Sequence, residues 1–200
     1  MKKYTWKEWS KTAKTLSSGE ETKDYFASLP LAGKTIKNIR ILGFDYFHDE
    51  TYMNGNENPD EFFYPTYLKG KRISRLDEPF IIEFTDGQQI EIEADSTINE
   101  IKIAFNEIPD NAEPSVNHNN IDGNTIFVQC LGKRIKAVKF LPEPPEAYIP
   151  IVIFVLNDGT QINIESWMDY FDVWLSKEGD TDEILPITWS ELKKALRLQS

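Results

Sequence analysis

The chain reads as a mainly β protein of the α+β class. Two duplicated antiparallel β-meander units are expected to form a sandwich or a partly open barrel, flanked by short N- and C-terminal helices. Three observations predict this. Residues 33–42, GKTIKNIRIL, return as GKRIKAVKFL at 132–141. PFIIEFTDGQQIEIEADS at 79–96 returns, in the same order, as PIVIFVLNDGTQINIESW at 150–167. Near both ends stands a helix-start pattern, Thr5-Trp6-Lys7-Glu8 and Thr188-Trp189-Ser190-Glu191. In it the Thr hydroxyl accepts from the Glu backbone N–H while the Glu side chain returns to the Thr N–H.

The elements follow in chain order. After the first cap, Trp6, Trp9, Ala13 and Leu16 share one helical face, with Lys7, Lys11 and Lys14 elsewhere. The helix is expected to dock on the sheets, and residues 20–28 to add a turn or two before Pro30. In 33–42, Ile36, Ile39 and Ile41 are interspersed with Lys and Arg. This predicts a strand with one wet face and a one-residue irregularity, as do Ile135, Val138 and Phe140 in the second copy. The apolar run Phe80–Phe84, then Asp86-Gly87, then Ile90-Glu91-Ile92-Glu93 predicts a hairpin, because the turn needs a positive φ that glycine tolerates. Val152–Leu156, Asp158-Gly159 and Ile162-Asn163-Ile164 repeat it. Ile101, Ile103 and Phe105 predict a further strand, matched by Phe171-Asp172-Val173-Trp174-Leu175.

Residues 1–200 are therefore expected to form a single globular unit of two pseudo-repeats. An N-terminal helical segment covers 1–30, and β unit 1 covers 33–109 with an insertion at 43–78. A connection and leading strand cover 110–131, β unit 2 covers 132–178, and a C-terminal helix covers 186–200. A lone small sheet would leave an apolar face in water, so the units should associate. They differ most between their matching halves, where unit 1 carries 43–78 and unit 2 only 142–149. The insertion is rich in aromatics, unlike a disordered segment, and is expected to fold back onto the sheets.

The formal charge of −11 and pI near 4.7 argue against general nucleic-acid binding, which needs excess Lys and Arg. They suit a dispersed acidic protein and allow a basic partner. Cys130 is the only cysteine, so no intrachain disulfide forms. Its apolar surroundings predict a buried thiol. The opening MKKYTWKEWSK has no apolar core of a signal peptide, and no apolar stretch of about 18 residues predicts a membrane span. A cytoplasmic protein is expected.

Several constellations invite chemistry. Asp45-Tyr46-Phe47-His48-Asp49-Glu50 sets an imidazole among carboxylates, but neighbouring residues on a strand face opposite ways, and a solvated acidic loop is the simpler reading. Asn54–Asn58 and Asn117–Gly123 offer oxygen ligands without the frame of a calcium loop, and read as turns. Trp167–Leu175 is the densest apolar run, and reads as core with one wet face marked by Asp169 and Asp172. No catalytic residue, metal site or cofactor is assigned. The candidate binding residues are Phe44, Tyr46, His48, Tyr52, Phe62, Tyr64 and Tyr67, on a loop where aromatics have fewer structural reasons to be.

The pattern Asn106-Glu107-Ile108-Pro109, followed by Cys130-Leu131-Gly132-Lys133-Arg134-Ile135 after an acidic alternating strand, resembles a family of uncharacterised bacterial β-rich proteins. The resemblance runs over residues 80–140. It implies a β-rich bacterial protein and no activity. The expected function is a non-enzymatic protein-interaction module that uses the insertion and nearby sheet edges, with a basic protein such as a toxin or effector as partner. The alternative is a small-ligand binder or enzyme with a pocket at 43–78. No nucleic acid, membrane or particular oligomeric state is expected.

Overall fold

A computed structural model describes residues 13–41, 68–69, 72–76, 79–95, 100–105, 123–141, 149–167, 170–180 and 184. Over these residues the protein is mainly β, with two antiparallel sheets and no closed barrel. Strand β1 (Lys14–Leu16) precedes helix α1 (Gly19–Ser28), then β2 (Ile36–Ile41), β3 (Leu68–Lys69), β4 (Arg72–Leu76), β5 (Phe80–Phe84), β6 (Gln89–Asp95) and β7 (Glu100–Phe105). A helical turn α2 (Gly123–Ile126) and a 3-10 turn (Val128–Cys130) follow. The chain continues through β8 (Ile135–Leu141), β9 (Ile151–Leu156), β10 (Thr160–Trp167) and β11 (Tyr170–Lys177). The first sheet has the order β1-β7-β6-β5-β2 and the second β3-β4-β11-β10-β9-β8.

Each sheet is built around a four-strand meander with the same internal register. In the first, Ile36 pairs with Phe84 and Ile39 with Ile82, with a bulge between Ile36 and Asn38. In the second, Ile135 pairs with Leu156 and Val138 with Phe154, with a bulge between Ile135 and Ala137. The irregular alternation in both passages has this physical cause: one extra residue per strand moves the next isoleucine or valine back to the core. The register also sets the spatial match one residue off the letter-by-letter one. Phe80 corresponds to Val152, so Pro79 and Pro150 are not equivalent.

Both hairpins close through three-residue loops. The Gly87 N–H donates to Phe84 O at 3.0 Å and the Phe84 N–H to Gln88 O at 2.7 Å, with Gly87 at φ 83°. The Gly159 N–H donates to Leu156 O at 3.0 Å, with Gly159 at φ 81°. Only the glycine needs the left-handed conformation, while the aspartate braces the loop by accepting from the N–H two residues on. Those bonds are Gln88 N to Asp86 Oδ1 and Thr160 N to Asp158 Oδ1, both 3.0 Å.

The inner faces share one buried apolar cluster. Phe80, from the first sheet, packs edge-on against Phe171 of the second with centroids 6.4 Å apart, and against Phe127 at 5.4 Å. The meanders also meet directly where their first strands begin. Gly33 N donates to Ile135 O at 2.8 Å and Gly132 N to Ile36 O at 2.9 Å. Ile36 N donates to Lys133 O and Ile135 N to Lys34 O, both at 2.9 Å. Thr35 faces Arg134 at the centre of this short ladder. Every bond given by one meander has its counterpart from the other.

The insertion contributes the hairpin β3–β4, which pairs with β11 of the other meander, so part of it does fold back onto the sheets. Three expectations need correction. Leu16 lies in strand β1, opposite Ile101, so the segment 1–30 is not wholly helical. The helix that follows is started by Ser18, whose Oγ accepts from Glu21 N at 3.2 Å, while Glu21 Oε2 accepts from Ser17 N at 3.0 Å. The leading strand expected within 110–131 is helical at 123–130. Ile126, Phe127 and Cys130 are buried while Val128 and Gln129 are exposed, which is helical rather than strand periodicity. Asp172, expected to mark a wet face, is buried, as are Glu91 and Glu93 on their alternating strand. Alternation on a strand separates its two faces but does not say that the polar one meets water. The rest of the expected N-terminal helix, residues 1–12, and the expected C-terminal helix at 186–200 lie outside the described residues.

Candidate functional site

The candidate site is built from the side of each meander that faces away from the shared core. On β6, Ile90 and Ile92 point inward, so Gln89, Glu91 and Glu93 point outward. Glu91 is 0 % exposed and Glu93 3 %. Gln89 Nε2 donates to Glu91 Oε1 at 2.5 Å. Beside them Asn38 Nδ2 donates to Glu83 Oε2 at 2.8 Å, Arg40 Nη2 donates to Gln89 Oε1 at 3.2 Å, and Arg40 Nε forms an ion pair with Glu83 Oε1 at 2.5 Å. Burying such groups is tolerable only when each charge is paired and hydrogen-bonded.

The corresponding face of the second meander carries Ala137, Lys139, Val155, Gln161, Asn163 and Trp174. Val155 stands where Glu83 stands, and Asn163 where Glu91 stands. Asn163 Nδ2 donates to Trp174 O at 3.2 Å and Ser176 Oγ at 3.0 Å, and Ser176 Oγ donates to Gln161 Oε1 at 2.9 Å. The positions that match Glu83 and Glu91 are thus uncharged here. Without a carboxylate at 155, Lys139 remains about half exposed, whereas Arg40 is drawn down to 20 %.

Strand β8 is the edge of the second sheet, and the sequence that leads into it and begins it, Lys133-Arg134-Ile135-Lys136-Ala137-Val138-Lys139, gathers four cations with no acid. Lys136 and Lys139 both reach Glu178, each at 2.9 Å, and hold its carboxyl below the usual range through hydrogen bonds, Lys139 first. Lys133 and Lys177 both reach Asp158, at 2.6 and 3.4 Å. Burial alone would raise the Asp158 carboxyl. The bonds from Lys133, the Thr160 N–H and the Thr160 hydroxyl outweigh it and hold the group well below the usual range. In the first meander Lys34 reaches Asp86 and Gln88 in the same way. These two lysine–aspartate clasps tie the Gly-Lys start of each first strand to its own hairpin loop. Both halves of the clasp stand in the sequence repeat, as Gly33-Lys34 with Asp86-Gly87 and as Gly132-Lys133 with Asp158-Gly159, but only the fold brings them into contact.

Edge β2 of the first sheet is treated differently from β8. Ile39 N donates to Asn124 Oδ1 at 2.8 Å, and a Cβ added to Gly123 would lie 2.4 Å from Ile39 O. The close approach of α2 thus covers a strand edge. By β8, α1 contributes Phe26, packed on Phe140 and Phe154. Leu141, at the end of β8, is 56 % exposed.

Cys130 is buried, and burial pushes its thiol up to about 12, so the expected core role holds. Of Trp167–Leu175, Phe171, Val173 and Leu175 enter the shared core, while Trp174 and Asp172 lie on the outer face. Phe44, Tyr46, His48, Tyr52, Phe62, Tyr64 and Tyr67 lie outside the described residues, as do Asp45, Asp49, Glu50, Asp169, Asn54–Asn58 and 117–122. Among the described residues no group of three or more His, Cys, Asp or Glu is placed to hold a metal, and no helix is long and apolar enough to cross a membrane. No family model, curated protein or solved structure matches the chain.

Proposed function

We propose that this chain is a non-enzymatic protein-interaction module, formed from one meander that was copied and whose copies then diverged on their outer faces. The paired registers, bulges, clasps and ladder bonds support a common origin for the two halves. The interaction reading rests on one observation above all: an exposed row of cations along edge β8 in a chain of net charge −11. Other described ion pairs, at the clasps and in the Arg40–Glu83 network, support the fold itself. The net charge by itself would suit a basic partner, but the β8 edge is locally of the opposite sign, and short-range contacts follow the local sign. The same chain is proposed to act in the cytoplasm of a bacterium.

The test is recovery from the native host. The full chain, tagged at one end, should retain a companion protein through washing in low salt, and the pair should re-form from purified components with micromolar affinity or better. A chain that returns alone at every salt concentration, with its fold intact by circular dichroism, overturns the module reading.

A further inference from the structure

Among the described residues, the β8 ridge carries more positive charge than its ion-pair partners neutralise. Asp158 is shared by Lys133 and Lys177, and Glu178 by Lys136 and Lys139, so two carboxylates serve four ammonium groups; the exposed guanidinium of Arg134 adds a fifth cation. The other meander shows how the same positions behave when they are satisfied internally. Arg40, the counterpart of Lys139, is bound by Glu83 and Gln89 and largely covered. Val155 stands where that carboxylate stands, and Lys139 is half exposed and paired with Glu178 instead.

Building on the module reading, we propose that the ridge of Lys133, Arg134, Lys136 and Lys139, ending at Leu141, is the docking surface for an acidic extended segment of a partner protein. The cations run from the ladder at Lys133 and Arg134 into edge strand β8 at Lys136 and Lys139, about 20 Å in all at roughly 3.3 Å per residue, which suits a segment that is itself extended. Exposed Leu141 offers an apolar contact that rewards a side chain rather than a phosphate. A long polyanion would be repelled by the chain as a whole, whereas a short acidic segment meets mainly the local field. A second copy of this chain pairing β8 with β8 would bring lysines against lysines.

The probes are a short fluorescein-labelled peptide alternating Glu and Val, its Lys/Val counterpart, and a single-stranded oligothymidylate, each titrated against the full chain by anisotropy. The Glu/Val peptide should bind saturably, weaken as salt is added, and lose at least about tenfold in affinity to the K136E/K139E double variant. Reversal of exposed Lys37 in the other meander, K37E, should change affinity by less than about twofold. L141A should weaken binding a few fold without changing its salt dependence. The proposal is overturned by absence of saturable binding, by an equal loss in K37E, by equal binding of the Lys/Val peptide, or by oligothymidylate binding through the same lysines. It is also overturned by a chain that dimerises until K136E/K139E separates it. If a companion from the host binds K136E/K139E as well as the unaltered chain, the ridge is wrong and the module reading stands. Both altered lysines are half exposed, so the variant should fold, and circular dichroism checks that it does.

Discussion

Glu83 and Val155 hold the same place in two meanders, one residue inside a hairpin and facing away from the core. Around Glu83 lies a covered network of Asn38, Arg40, Gln89 and Glu91. Around Val155 lie Ala137, Gln161 and Asn163, with Lys139 released to the surface. The inner faces, by contrast, carry Ile, Val, Leu and Phe in both meanders. The inner face is held by its need to exclude water and to fill space, whereas the outer face carries a covered salt network in one half and an exposed basic ridge in the other.

The largest expected effect tests whether the halves depend on each other through the core. Phe80 touches Phe127 and Phe171, both beyond its own meander. Phe80→Ala should cost about 3–5 kcal/mol, and Val152→Ala, at the matching position, about 2 kcal/mol. Chemical denaturation should show one cooperative transition in both variants. Two separated transitions would mean that the halves fold independently, and the shared core would then be a weaker account of the architecture.

Next in size is the close approach of α2 to the β2 edge, which has no equally close counterpart at β8 among the described residues. Gly123→Ala places a methyl against the Ile39 carbonyl and should cost about 2–3 kcal/mol through overpacking. Amide exchange at Ile39 should quicken by more than global stability alone explains, because the bond to Asn124 is lost with it.

Glu83→Val gives the first meander the residue of the second. It leaves Arg40, 20 % exposed, without its carboxylate, and about 1–3 kcal/mol is expected to be lost. Replacing Arg40 as well, in R40V/E83V, should restore most of it, since an apolar pair can take the place of a partly buried ion pair. A coupling below about 0.5 kcal/mol would mean that the network is incidental to the divergence of the faces.

Much of the β architecture was legible because the repeat marks it twice. Two bulged strands, two Asp-Gly loops and the inward isoleucines can be read from letters alone, since bulge and turn chemistry are local. What escaped depends on distant partners. Ile126–Cys130 is apolar enough for a strand, and only its burial pattern, with Val128 and Gln129 outward, identifies a helix. Glu91 and Glu93 alternate like a wet strand and are buried. Nothing in a strand's own sequence records what lies over its polar face. The β8 ridge had a visible signal, four cations in seven residues of an acidic chain, but its exposure depends on Val155 across the sheet. The aromatic candidates between Phe44 and Tyr67 lie outside the described residues and are not among the groups that define the ridge.

The smallest expected effect compares the two clasps. Hydrogen bonds from Lys34 and from the Gln88 N–H hold the Asp86 carboxyl below its usual value, and Asp158 is lowered further, against its burial, by Lys133 and Thr160. A carboxylate whose pKa is lower in the folded than in the unfolded chain stabilises the fold above the unfolded value, near pH ~4. That contribution fades as the pH falls through the folded value. Both clasps should therefore be intact at neutral pH and weaken below about pH 4, with Asp158 persisting to lower pH than Asp86. Asp158→Asn should flatten the acid limb of the stability profile more than Asp86→Asn, while the side-chain oxygen of either asparagine keeps the turn bond to the N–H two residues on. Denaturation midpoints measured between neutral pH and pH ~2 decide it. Equal flattening by the two variants would mean that the clasps have not diverged, and that the difference between the halves is confined to their outer faces.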